Sequence, residues 1–393
     1  MILLRVAIFF LLMLLLPDWY IHRIYLRNKG SKIYKRILWG PTIGLLVLLA
    51  VFIAMHDSLH DYFGIYLIVT LCFCIPKLTF VIFSLLLRGL NRITGLNIPH
   101  AAVSALPALA MLGYILFGAI KGKENFKVRE VTFYSPNLPE EFDGYRILQL
   151  SDIHSGSWKG NPEALQKAID LCNRQNADIA LFTGDLVNSR ADELTEFSDI
   201  FSGLKAKDGV YSVLGNHDYG NYVKWDSEAD RIANIDSLIA HENRMGWTML
   251  NNSHTIIKRG NDSIAVIGVE NSGRPPFPDY ARLKDASAGT EGMFQVLMSH
   301  DPTHWRREVL PKTDIELTLS GHTHDMQITF FGFSVSSFIY PEHNGMYMDG
   351  DRGLYVNIGL GHVLFPMRLG AWPEITVIKL KVKNRRSAKL IKN

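Results

Sequence analysis

Four apolar stretches fill the front of this chain, at about residues 2–20, 38–56, 63–87 and 98–120. Each approaches the roughly 20 residues that cross a bilayer as a helix. Lipid offers the backbone no hydrogen-bond partners, so such segments are predicted as four transmembrane helices. A cleaved signal peptide would account for the first stretch and leave the other three unexplained. Mean hydropathy over the whole chain is slightly positive, unusual for a wholly soluble protein, and the excess sits in this front third. Residues 122–393 read as one globular domain, long enough to bury a large core.

The loops between the stretches predict an orientation. The first carries Arg23, Arg27, Lys29, Lys32, Lys35 and Arg36, and the third carries Arg88 and Arg92. The second, around Asp57 to Asp61, has no Lys or Arg. The positive-inside rule puts loops one and three in the cytoplasm, so the chain emerges from the fourth stretch on the outer face. The expectation is a multi-pass membrane protein with an extracytoplasmic globular domain, although Lys121, Lys123 and Lys127 weigh against that sidedness. Two charges lie inside the stretches. Arg5 is near enough to an end to reach the headgroups, whereas Lys77, beside Pro76, is nearer a centre. Lys77 marks either a functional site or a helix broken at Pro76 with the lysine turned toward other helices.

The net charge of +3 argues for no polyanionic partner, and no basic groove signature points to nucleic acid. Lys379, Lys381, Lys383, Arg385, Arg386, Lys389 and Lys392 read as a strand edge followed by a solvated tail; acidic lipid or nucleic acid is the other reading. Of three cysteines, only Cys172 lies beyond the apolar stretches, so the globular part holds no disulfide of its own.

Past residue 122 the pattern alternates between strand and helix. Strands are predicted at 145–151, 178–183 and 209–214, and helices at 162–175, 192–204 and 227–243, with Asn161 and Pro162 placed to start the first helix. The chain then turns strand-rich: 254–258 and 263–269 flank Gly260-Asn261-Asp262 as a hairpin, followed by 294–298, 315–319, 354–358 and 375–380. This order predicts an α/β fold in which two mixed sheets face each other with helices outside.

Five short blocks each follow one of these apolar runs: Asp152-Ile153-His154, Gly184-Asp185, Gly215-Asn216-His217-Asp218, Ser299-His300-Asp301 and Gly321-His322-Thr323-His324. Strand-end loops can bring distant residues to one crevice. A pair of divalent ions about 3.5–4 Å apart needs a carboxylate to bridge and terminal ligands on each side. Carboxylate, imidazole and amide donors in these blocks suit that arrangement, and they suit Mn, Fe or Zn better than Mg.

As a set, the blocks resemble the calcineurin-like metallophosphoesterase superfamily. Leu354-Tyr355-Val356-Asn357, Gly359-Leu360-Gly361, Pro366, Arg368 and Pro373-Glu374-Ile375 are similar to its membrane-associated branch of YkuE-like and transmembrane-anchored enzymes. The resemblance implies a four-layer α/β/β/α sandwich behind a four-helix transmembrane region, and hydrolysis of phosphate esters by metal-activated water. It implies that Asp152, His154 and His324 bind one metal, that Asn216, His300 and His322 bind the other, and that Asp185 bridges. His217 is no ligand by this resemblance; it resembles the histidine that protonates the leaving oxygen or steadies the transition state, with Asp218 in place to orient it. His254, His304, His343 and His362 fit no block and read as structural or surface residues.

The resemblance leaves the substrate open. Membrane attachment favours a lipid-linked or cell-envelope ester, kinship also admits UDP-2,3-diacylglucosamine pyrophosphate hydrolysis, and a non-catalytic metal-binding membrane module is the reading from another class. Residues 330–340, FFGFSVSSFIY, read either as an apolar way in for acyl chains or, more commonly for such a run, as a buried strand pair. One departure stands out: many relatives have two glycines after the last histidine, where this chain has Asp325-Met326. Glycine permits positive φ and close backbone approach, so the replacement puts substrate seating beside His324 in question, with a neutral surface change equally open.

Overall fold

The computed structural model describes residues 2–28 and 31–383. The chain divides into two units: residues up to Lys121 with Leu364–Leu369, and Gly122–Val363 with the chain from Gly370 onward.

The first unit is helical: α1 (Ile2–Ile21) with a short π-helical extension, α2 (Lys32–Ala54), α3 (His56–Thr94) and α4 (His100–Ile120). The segments Lys32–Ala54, Tyr62–Thr94 and His100–Ile120 are long and apolar enough to cross a membrane. Leu86, Leu106 and Leu109 are exposed on them, an arrangement suited to an apolar solvent. The third stretch is longer than predicted because α3 continues to Thr94, where Gly95 caps it in the left-handed conformation. Pro76 lies inside α3 and does not end it, so the reading of a helix broken there is corrected. Lys77 Nζ lies 2.7 Å from Asp18 Oδ1 and 3.1 Å from Thr42 Oγ1, and Thr42 donates to Asp18 Oδ2 at 2.5 Å. This triad joins α1, α2 and α3, the pairing an intramembrane charge requires. The backbone N–H of Arg368, in the returning segment, donates to Gly118 O of α4 at 3.3 Å. The side chain of Arg5 lies outside the described residues.

The second unit contains β1 (Lys127–Ser135), β2 (Arg146–Leu150), α5 (Pro162–Asn173), β3 (Ile179–Phe182), α6 (Ser198–Ser202), β4 (Val210–Ser212), α7 (Glu228–Arg244), β5 (Trp247–Met249), β6 (Ser253–Arg259), β7 (Asp262–Gly268), β8 (Phe294–Met298), β9 (Leu317–Ser320), β10 (Thr329–Phe330), β11 (Phe333–Ser334), β12 (Gly345–Asp349), β13 (Arg352–Val356) and β14 (Glu374–Val382). One six-stranded sheet has the order β1-β14-β2-β3-β4-β5 and the other β12-β13-β9-β8-β7-β6. Both are mixed: β2, β3 and β4 run parallel in the first, as do β7, β8 and β9 in the second, with antiparallel pairs at β14–β2, β6–β7 and β12–β13.

Alternate residues along each strand face opposite sides. Ile147, Ile179 and Leu181 of one sheet meet Val266, Val296, Met298 and Leu319 of the other in a shared core. Leu148, Ala180 and Phe182 point the other way, onto Leu165, Ile169 and Leu238 of α5 and α7. Ala265, Ile267 and Leu297 cover the outer face of the second sheet with Trp305 and Val309. The result is the α/β/β/α layering expected.

Several local expectations are corrected. The helix at 192–204 is only a 3-10 turn and the short α6, because Glu193 folds back to accept N–H bonds from Gly156, Asn188, Ser189 and Arg190. The Asn161 side chain does not cap α5; it donates to Glu124 Oε1 at 2.9 Å. Strands β1, β5 and β12 carry no clear apolar alternation, and β1 is an edge strand whose exposed positions include Lys127, Arg129 and Glu130. In the basic run, Lys381 pairs with Asp143 and Lys383 with Asp351, while Arg385, Arg386, Lys389 and Lys392 lie outside the described residues.

Candidate metal centre

The five blocks sit at the C-terminal ends of β2, β3, β4, β8 and β9, the parallel strands at the middle of the two sheets. Each strand stops where its loop must bend sharply. Asp152, His154, Asp185, His322 and His324 all take positive φ, between 49° and 74°. Non-glycine residues adopt that conformation at a cost of about 1–3 kcal/mol each when it is strained, and clusters of them mark functional sites. Gly321 lets the second sheet approach the first: a Cβ there would lie 2.2 Å from Asp152 Oδ2 and 1.8 Å from Ser151 Oγ. Its neighbour His322 donates its backbone N–H to Asp152 Oδ1 at 3.1 Å and to Oδ2 at 3.0 Å, so the two sheets are joined at the site.

All seven predicted ligand side chains are brought together. His154 Nε2 faces His324 Nε2 at 3.0 Å, and His324 Nε2 lies 3.1 Å from Asp152 Oδ1. Asp185 Oδ2 lies 3.1 Å from His300 Nε2 and 3.8 Å from His154 Nε2, between the two groups. Asn216 Oδ1 is 3.1 Å from His300 Nε2 and 2.8 Å from His322 Nδ1. The sets Asp152–His154–His324 and Asp185–His300–His322 are each compact enough to hold a cation.

The outer nitrogens select which lone pairs face inward. His300 donates Nδ1–H to Thr183 O at 2.7 Å, leaving Nε2 for the site. His322 Nε2 bonds the Tyr340 hydroxyl at 2.9 Å, leaving Nδ1. Asn216 donates its amide to Tyr222 at 2.8 Å, which turns Oδ1 inward. Such outer partners orient metal-binding side chains.

The charge balance fits a cation. Burial would raise Asp152, but His324 beside it holds the carboxyl below the usual range. Burial opposes ionisation of Asp185 as well, and His300 and His217 overcome it. Burial lowers His154, reinforced by His217 and His324, and burial also lowers His322. His300 is pushed up to about 10, because Asp185 outweighs the burial that would lower it. Two buried carboxylates held ionised, beside the depressed imidazoles of His154 and His322, give the cluster the charge a cation would complement. His154 and His324 bring their Nε2 atoms to 3.0 Å of each other beside Asp152, a set of donors that a divalent ion would bind once the imidazoles are neutral. The residues fit two such ions.

His217 lies beside the cluster, its ring 4.8 Å from that of His154 and 4.3 Å from that of Tyr222. It donates Nδ1–H to Asn188 O at 2.7 Å, and its backbone N–H bonds Asp185 Oδ1 at 2.8 Å. The expectation that Asp218 orients His217 is corrected: Asp218 accepts the backbone N–H groups of Asp185, Leu186, Val187 and Gly215. It shapes the turn that carries Asp185. Burial and the nearby Asp185 push its carboxyl up to about 7.

Asp325 and Met326 keep left-handed backbone, at φ 49° and 52°, so the turn that glycines would make survives their replacement. Asp325 is buried and accepts from Thr329 Oγ1 and Asn344 Nδ2, both at 2.8 Å, which overturns the surface reading. The sequence reading missed Tyr222, Tyr340, Asn188 and Glu193. The tyrosines could have been suspected only from their nearness in sequence to blocks of ligands. Of the other histidines, His254 bonds Ala286 O, His304 bonds Ser299, His343 lies 3.4 Å from Asp325 and His362 packs on Trp158.

Residues 145–326 match the family "Calcineurin-like phosphoesterase", and residues 4–123 match "Probable Calcineurin-like phosphoesterase, transmembrane domain". A "Transmembrane protein with metallophosphoesterase domain" from Danio rerio is 30% identical over 289 residues, which are 71% of this chain and 62% of that relative's length. The "Uncharacterized metallophosphoesterase YkuE" of Bacillus subtilis is 31% identical over 268 residues, covering 65% of this chain and 85% of its own. Among solved structures, a dimetal phosphatase from Danio rerio aligns with a TM-score of 0.35 at 11% identity, over 56% of this chain and 88% of that one. The conjunction of an apolar helical front with five ligand blocks on facing sheets thus has a family context: the chain belongs to the calcineurin-like phosphoesterases, in the group that carries a transmembrane domain ahead of the metallophosphoesterase fold.

Proposed function

We propose that this chain is a membrane-anchored phosphoesterase that hydrolyses phosphate esters at a two-metal centre. The observation that carries the reading is the convergence of seven donors, from five strand ends, around the Asp185 carboxylate. Asp152, His154 and His324 would hold one divalent ion and Asn216, His300 and His322 the other, with Asp185 shared between them. The imidazole-rich set favours Mn, Fe or Zn. When bound, such a pair polarises phosphoryl oxygens and lowers the pKa of water.

The chain's own side chains supply the rest. His217 is fixed by Asn188 O on one nitrogen and by the Tyr222 ring on its face, which leaves Nε2 to carry a proton to the departing ester oxygen. General acid catalysis of this kind is worth about 10²–10⁴-fold. Membrane anchoring favours an ester at the bilayer, lipid-linked or of the cell envelope, and the loop charges favour an extracytoplasmic domain.

The test is full-length purified protein supplied with Mn, Fe or Zn and assayed on aryl phosphate mono- and diesters. His217→Ala should lower turnover about 10²–10⁴-fold while leaving metal content unchanged. Loss of metal and activity together would remove His217 from this role. Metal-loaded protein that turns over no ester would favour a binding module instead. Protease access in intact cells reads sidedness directly.

A further inference from the structure

The apolar side chains of residues 330–340 are not packed into the core, although Ser334 and Ser336 are buried. β10 and β11 form a minimal hairpin, with Thr329 opposite Ser334 and Phe330 opposite Phe333, followed by a 3-10 turn over Val335–Phe338. Phe331, Phe333, Val335, Phe338 and Ile339 are each more than half exposed. The rings of Phe333 and Phe338 meet edge to face at 5.6 Å, so the knuckle holds its own shape. Its root is firm and grows from the loop that carries His322 and His324. Ser334 Oγ donates to Asp325 O at 2.7 Å, Thr329 Oγ1 donates to the Asp325 carboxylate, and Tyr340, just past the knuckle, bonds His322. Asp325 is thereby a positioning residue for this element.

We propose that the knuckle inserts into the lipid surface, docking the catalytic domain on the bilayer and bringing phosphate groups at headgroup level to the metal centre. The delivery of phosphate rests on the phosphoesterase reading; the docking does not. Three observations select lipid as the occupant. Residues 121–126 separate the end of α4 from the start of β1, a tether of about 20 Å fully extended. The chain passes into the helical unit after Val363 and returns at Gly370, and both are held at the knuckle's root. Val363 N–H donates to Gln327 Oε1 at 2.6 Å, and a Cβ on Gly370 would lie 2.0 Å from Thr329 O. Finally, residues 330–340 contain no charged side chain, and aromatic and branched apolar residues at a protein tip match the acyl–headgroup boundary.

The experiment uses full-length protein with Cys72, Cys74 and Cys172 replaced by Ala and one nitroxide label at Phe331→Cys or Phe338→Cys. The protein is reconstituted in palmitoyl-oleoyl-phosphatidylcholine vesicles. Both labels should collide with oxygen and be shielded from a water-soluble nickel chelate, whereas a label at Met348→Cys, half-exposed on β12, should meet the nickel. Knuckle labels open to nickel overturn the proposal. Labels shielded from both reagents overturn it too, since the knuckle would then be packed on protein. In a second arm, Phe331→Ser/Phe338→Ser should lower hydrolysis of phosphatidic acid in vesicles about tenfold relative to soluble p-nitrophenyl phosphate. An unchanged ratio overturns the delivery role. Wild-type protein inactive on both esters defeats the phosphoesterase reading and with it the delivery role, while the labels still decide the docking.

Discussion

Asp218 offers the sharpest test of how the centre is built. Its two oxygens accept four buried backbone N–H groups: Leu186 at 2.8 Å and Val187 at 3.2 Å on Oδ1, and Asp185 and Gly215 at 2.8 Å each on Oδ2. Asp218→Asn keeps one acceptor oxygen and turns the other position into an NH₂ group facing two N–H donors. Two buried donors then lose their partner, at about 1–3 kcal/mol each, for a total of roughly 2–6 kcal/mol. A domain of ordinary stability, about 5–15 kcal/mol, tolerates the lower half of that range. The disturbed backbone is the one that places Asp185 between the two ligand groups. Loosening an outer support typically weakens metal binding about 10–100-fold.

The assay is metal titration of detergent-solubilised full-length protein, read both as bound metal and as ester hydrolysis. Asp218→Asn should shift both curves to about 10–100-fold higher metal and recover most turnover at saturation. His217→Ala should do the opposite, with full metal and low turnover. If Asp218→Asn binds metal like wild type and loses turnover as His217→Ala does, the backbone role is refuted and the carboxylate acts on His217 after all.

Two further predictions address other buried ionisable groups. Glu242 is fully buried against Ser212, and burial pushes its carboxyl up to about 8 from an ordinary 4.5. The folded chain keeps this proton where the unfolded chain releases it, so the stabilisation is complete below about pH 4.5 and is lost as pH rises through about 8. Glu242→Gln should flatten that decline, by at most roughly 5 kcal/mol, in thermal melts followed by tryptophan fluorescence across the same window. In the helical unit, Lys77→Met alone leaves Asp18 buried with only Thr42 and should destabilise by about 3–5 kcal/mol, while adding Asp18→Asn should restore most of it. Thermal aggregation in detergent measures both; a double variant as unstable as the single one would show that the triad is not a coupled unit.

The strand ends were legible because β2, β3, β4, β8 and β9 are short apolar runs that stop at a block of polar ligands, and the spacing of those blocks does not depend on what the chain does between them. The helical front was legible because a bilayer accepts so few backbone solutions. Edge strand β1 was not legible: Lys127, Arg129 and Glu130 interrupt its apolar residues, and it pairs with β14, far away in sequence. The helix expected at 192–204 failed because Glu193 satisfies backbone donors of the preceding loop, a contact that no periodicity records.

Residue types and their order were thus enough to determine the chemistry available, a set of carboxylate, imidazole and amide donors carried behind apolar helices. The tertiary structure decided what each of those residues faces. It turned Asp218 from His217 to the backbone around Asp185, buried Asp325 beneath the knuckle, and placed Phe331 and Phe338 outside instead of in the core. The reason is physical: propensity and pattern act between near neighbours along the chain, whereas these orientations depend on hydrogen-bond partners and packing surfaces that meet only when two sheets close on each other.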